Sequence, residues 1–151
     1  MDNFSPIIGD MPAPERVRQL IETFEQNIAA YHSQKNETEL RRQFLDPFFE
    51  ALGWDVDNKK GYDERSKEVA HEYSVEIDGA QKKADYAFRV ARDSFDFLVE
   101  AKKPSVKIES NLDAAFQIRR YGWSAGLPIT ILTDFEHFAI YDCRARPNYS
   151  K

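Results

Sequence analysis

Between residues 82 and 102 the chain reads KKADYAFRVARDSFDFLVEAK, and the fold turns on how this stretch is parsed. In its first part, residues 82–90, Tyr86, Phe88 and Val90 fall on one side while Asp85, Ala87 and Arg89 fall on the other. That period of two belongs to a β-strand with one face buried. The second part, residues 95–102, repeats it: Phe95, Phe97, Val99 and Ala101 alternate with Asp96, Leu98, Glu100 and Lys102. Each strand carries an acid within an apolar run, Asp85 in one and Glu100 in the other. A buried carboxylate is costly unless it has a partner or a task. If the strands are sheet neighbours, the two acids converge on one point with Lys102 beside them.

Working outward, Tyr73, Val75 and Ile77 alternate with Ser74, Glu76 and Asp78, which predicts a strand before this pair, closed by the tight-turn dipeptide Asp78-Gly79. Upstream of it, residues 55–67 are polar and contain Gly61, so a loop outside the core is expected there. Earlier still the period is helical. Val17, Leu20, Ile21, Phe24, Ile28 and Tyr31 form the apolar face of one helix opening at Pro14, and residues 1–14 read as an irregular leader. Residues 32–36 break that helix. A second runs over 37–52, with Leu40, Phe44, Phe48 and Leu52 in one stripe and Gly53 as its C-cap.

Downstream, Asn111 or Asp113 caps a helix through Trp123, and Gly126-Leu127-Pro128 ends it. Residues 129–132 and 138–141 then read as strands that pair as a hairpin across Asp134 and Glu136. Trp54 and Trp123 read as core or cap residues. The expected fold is α/β: a central mixed β-sheet flanked by helices, forming a single domain over residues 15–151.

Composition narrows the function. A formal charge of -5 argues against holding nucleic acid through bulk positive charge. Lys82, Lys83, Arg89, Arg92, Lys102, Lys103, Lys107, Arg119 and Arg120 nevertheless cluster in one stretch and suggest a local basic rim. The lone Cys143 excludes an internal disulfide and a thiolate cluster, and favours a reducing, cytoplasmic setting. No apolar run of about 18 residues points to a membrane. His32, His71 and His137 lack ligand spacing and read as surface residues, and no glycine-rich phosphate loop is present.

Glu100 and Lys102 before Pro104 would, alone, be an ion pair at a strand end. Asp85 changes that reading. Two convergent carboxylates are the hard oxygen ligands that Mg2+ prefers, and phosphodiester hydrolysis needs such a metal with a cation close by.

Asp85 followed by Glu100-Ala101-Lys102 resembles the PD-(D/E)xK nuclease motif, with Ala84 at the often degenerate proline position. Asp57-Asn58-Lys59 also fits the tripeptide, but lies in a polar loop with no upstream acid on a strand. Upstream, Asn36-Glu37-Thr38-Glu39-Leu40-Arg41, then Asp46-Pro47-Phe48-Phe49 and Leu52-Gly53-Trp54, looks like the opening helix of the nuclease domain in type I restriction motor subunits and type IIG restriction-modification enzymes. Downstream, Gln117 and Tyr121 match the Gln-x-x-x-Tyr motif of that branch.

The resemblance implies a restriction-endonuclease-like core in αβββαβ order. It implies a magnesium-dependent DNA endonuclease, with Mn2+ as a substitute metal. Asp85, Glu100, Lys102 and Glu37 are its implied catalytic residues. Asp85, Glu100, the Ala101 carbonyl and Glu37 are the implied metal ligands, with Glu39 as the alternative to Glu37. Gln117, Tyr121, Lys103 and Arg120 are the implied contacts to double-stranded DNA. The chain is then the N-terminal module of a larger protein, linked to or associated with methyltransferase, motor or target-recognition regions. The alternative is a catalytically inactive nuclease fold that serves in DNA binding or assembly.

Overall fold

The computed structural model describes residues 12–33, 37–104 and 107–149. The expected leader, residues 1–14, lies mostly outside them.

Helix α1 spans Ala13–Gln26 and α2 spans Ile28–Ser33. The single helix expected to Tyr31 is therefore interrupted at Asn27, where φ is -122° and the side-chain amide donates back to the Thr23 carbonyl at 3.0 Å. Asn competes with the helix for its own backbone groups, and periodicity cannot register that competition.

The second helix is continuous but changes register. It runs as α3, Glu37–Leu40, then a π-helical turn over Arg41–Leu45, then α4, Asp46–Ala51. Pro47 lacks an N–H and crowds the preceding turn, and the wider turn just before it absorbs the mismatch: Asp46 N–H bonds to the Arg41 carbonyl, five residues back.

Five strands form one mixed sheet in chain order: β1 Val69–Ile77, β2 Ala80–Phe88, β3 Phe97–Ala101, β4 Ile129–Thr133 and β5 Phe138–Asp142. Neighbours are antiparallel except β3 and β4, which are parallel. That parallel pair requires a crossover, supplied by α5, Leu112–Ala125. Asn111 accepts from the Ala114 amide at 3.0 Å at its start, and Gly126 ends it with φ 70°. The β1–β2 turn is Asp78-Gly79, both at positive φ, as its sequence demands.

Each face of the sheet is covered. Tyr86, Phe88, Val99 and Ala101 pack with Leu20, Phe24, Phe44 and Phe49 of the N-terminal helices, while Ala87, Leu98 and Leu132 pack with Ile118 and Tyr121 of α5. The 55–67 stretch is a loop, but not wholly outside the core: Val56 is only 1% exposed. β2 ends at Phe88, two residues short of its expected end, so Val90 is exposed. Trp54 packs on Phe88 and Phe97, whereas Trp123 is exposed. No helix among the described residues is long and apolar enough to cross a membrane.

Candidate active site

β2 and β3 pair from Phe88↔Phe97 to Tyr86↔Val99, and their registered ladder stops one residue short of Asp85 and Glu100. From there the side chains take over its bonds. The Asp85 amide donates to Glu100 Oε2 at 3.2 Å, and the Ala101 amide donates to Asp85 Oδ2 at 2.7 Å. Each acid thus reaches the other's strand, which brings the two carboxylates together at the mouth between β2 and β3.

The other edge of β3 stays closed. Its pairing with β4 continues to Ala101↔Thr133, and the Lys102 amide bonds to the Thr133 carbonyl at 2.8 Å. Because N–H and C=O of one strand residue point to the same side, the Ala101 carbonyl also faces β2 and the mouth. Across β1 the alternation is disturbed at the same level: Glu72, between the registered pairs His71↔Tyr86 and Tyr73↔Ala84, has φ 51°.

Glu100 is buried, and its pKa is pushed up to about 8, first by burial and then by the neighbouring Asp85 charge. Burial also raises Asp85, against the pull of the Ala101 amide and the Arg41 and Lys102 charges. Lys102 is half-buried and favours the ionised form of both acids, while Glu37 opposes it in both. Glu37, Asp85, Glu100 and Lys102 therefore share one electrostatic neighbourhood. Glu39 is engaged elsewhere, accepting from Gln43 Nε2 at 3.1 Å.

Arg41 belongs to this neighbourhood and was not singled out from the sequence. It donates to Asp85 Oδ1 and to the Asp85 carbonyl, each at 3.2 Å, and its guanidinium lies 4.8 Å from the Tyr86 ring centre. Its place four residues after Glu37, on the same helical face, is the available signal.

Gln117 and Tyr121 are joined to each other, Nε2 donating to the hydroxyl at 2.6 Å. Tyr121 is 4% exposed and packs from α5 onto the sheet, so the pair meets solvent through Gln117. Arg120 pairs with Asp78 at 2.6 Å, at the β1–β2 turn. Lys103 is half-buried just beyond β3.

The expected basic rim is thinner than the sequence suggested. Arg89 is 5% exposed, lies 3.8 Å from the Phe95 ring centre and donates to the carbonyls of Arg65 and Glu64, so it braces a loop. Its position beside a strand end hid a tertiary partner 24 residues away. The three histidines are exposed, as expected, and two of them meet acids. His137 contacts Asp134 and Glu109, and His32 contacts Glu136. Asp134, Glu136 and His137 have ligand atoms within 4.8 Å of one another, and the contacts just named already engage each of them.

The donor set at the mouth is all oxygen: two carboxylates, a carbonyl and a third carboxylate nearby. That chemistry fits a hard divalent cation such as Mg2+ or Mn2+.

Residues 34–149 match the family described as the type I restriction enzyme R protein N terminus. Over 136 residues, 88% of this chain, the sequence is 41% identical to the type II restriction enzyme and methyltransferase RM.Eco57I of Escherichia coli. The chain spans 14% of the length of that relative. The crystal structure of SSO0001 superposes with a TM-score of 0.39 at 15% identity, covering 99% of this chain and 72% of that one.

Proposed function

The chain belongs to the family of type I restriction enzyme R protein N-terminal domains, and from that premise we propose that it is a magnesium-dependent endonuclease module cutting double-stranded DNA. One observation carries the reading: Asp85 and Glu100 meet where the β2–β3 ladder stops, with Lys102 in the same electrostatic neighbourhood.

Asp85, Glu100 and the Ala101 carbonyl would hold the ion, with Glu37 completing or orienting the shell. A bound divalent ion supplies Lewis acidity toward water and the phosphate oxygens. Lys102 orients the attacking water for in-line displacement and offsets negative charge on the oxygens of the pentacoordinate phosphorus, while the opposite P–O ester bond breaks and the leaving sugar oxygen takes a proton from solvent. Gln117 offers an amide to the DNA strand, held in place by the Tyr121 hydroxyl. Lys103 supplies charge toward the phosphates, and Arg120 does so once a phosphate displaces Asp78 from it.

With a charge of -5 the chain is a weak holder of DNA by itself, so target choice falls to other regions of a larger restriction protein. A methyltransferase region is a fitting companion, since the relative from Escherichia coli is named as both restriction enzyme and methyltransferase.

The test is plasmid nicking with Mg2+, comparing wild type with Asp85→Ala and Lys102→Ala. Each substitution is expected to lower the rate by about a hundredfold or more. Equal rates in all three would mark a contaminating nuclease. Absence of cleavage by a wild type that still binds Mn2+ and DNA would instead make the fold a non-cleaving module.

A further inference from the structure

Arg41 joins two parts of the fold that local sequence does not connect. It projects from the π-helical turn into the mouth between β2 and β3, where it bonds both to the Asp85 carboxylate and to the Asp85 carbonyl. With the Ala101 amide turned to Asp85 Oδ2, the Asp85 carbonyl takes a side-chain donor from the helix.

The guanidinium is itself braced. The ring of Tyr86 lies 4.8 Å below it, and the Tyr86 hydroxyl is fixed by Asp46 Oδ1 at 2.5 Å, one turn further along the same helix. On another side stands His71. Its Nε2 donates to the Val56 carbonyl at 2.9 Å, which leaves Nδ1 as the acceptor facing Arg41 Nη2 at 3.5 Å. With only 15% of its side chain exposed, Arg41 has little freedom to leave this seat.

We propose that Arg41 is the positioning residue that holds Asp85 in ligand geometry, by fastening its carboxylate and its backbone at once. This rests on the divalent-cation reading above. A fork is needed for the task, because two acceptors on one residue must be met from one side with fixed separation. A planar guanidinium does that and an ammonium on a flexible stem does not. Groups that orient metal ligands typically alter affinity by about 10–100-fold when replaced.

Calorimetric titration with Mn2+ tests the proposal on wild type and Arg41→Lys, which keeps the charge and loses the fork. Each protein is titrated well below its own melting temperature. Arg41→Lys is expected to bind Mn2+ about tenfold more weakly. A purely structural role would lower the melting temperature and leave the affinity alone, and wild-type affinity in the folded variant overturns the proposal. Should Arg41→Lys fail to fold, Arg41→Gln replaces it under the same criterion. A wild type that binds no Mn2+ overturns the cation reading itself, and this inference with it; that failure is recognisable because it appears without any substitution.

Discussion

Replacing Glu100 with Gln should stabilise the protein in the absence of divalent metal, and the gain should grow with pH. The buried carboxyl has its pKa raised from 4.5 to about 8, chiefly by burial and then by the Asp85 charge. The sign is opposite to that of an ordinary salt-bridged acid. Since the folded state holds the proton more tightly than the unfolded chain, the destabilisation is absent below about pH 4.5, builds as pH rises and is complete above about pH 8. At pH 7 it amounts to about 3 kcal/mol, from the two pKa values at about 1.4 kcal/mol per unit. Gln retains an oxygen for the Asp85 amide and never ionises, so it escapes this cost. In a domain of this length the melting temperature at neutral pH should rise by about 6–12 °C. Urea denaturation of both proteins at about pH 5, 7 and 9 measures the gap directly, and Mn2+ should reverse the order by stabilising only the wild type. A gap that is absent at pH 9, or as large at pH 5 as at pH 9, would refute the reasoning.

Other parts of the fold can be tested independently of the site. A Cβ at Gly122 would stand 2.6 Å from Thr130 Cγ2 and 2.7 Å from Cys143 Sγ, so Gly122→Ala should cost about 1–3 kcal/mol by forcing α5 off β4. An unchanged urea midpoint would show that the helix is seated more loosely. Partial burial works against the charge on His137, but its bond to Asp134 and the charges of Asp134, Glu109 and Glu136 win and raise its pKa. Stability from this imidazolium is present below the unfolded value near 6.5 and disappears as pH rises through the higher folded value. The deficit of His137→Ala should therefore be larger at about pH 5.5 than at pH 8.5, and an NMR titration of His137 at or below the ordinary histidine value would contradict it.

Much of the architecture was legible because it depends on near neighbours along the chain. Alternation marked β2 and β3, Asp78-Gly79 marked the β1–β2 turn, and Asn111 with Gly126 bounded α5. These are effects of residues two to four apart, and a sequence displays them directly. Asp85 and Glu100 stood out for the same reason, as acids set within otherwise apolar runs. Their strands are indeed neighbours, and the sheet is the mixed one expected.

What the pattern could not express were contacts made through space. Arg89 reads like a surface charge until its carbonyl partners on the 55–67 loop are seen, and Val90 reads like core until β2 ends before it. The choice between Glu37 and Glu39 as neighbour of the acids, and the presence of Arg41 among them, depend on how the helix rotates through the π turn. Local chemistry thus determined which segments exist and which of their residues are out of place. Tertiary packing alone decided who answers them, because the partner of a buried charge lies wherever the folded chain brings it, at no fixed sequence distance.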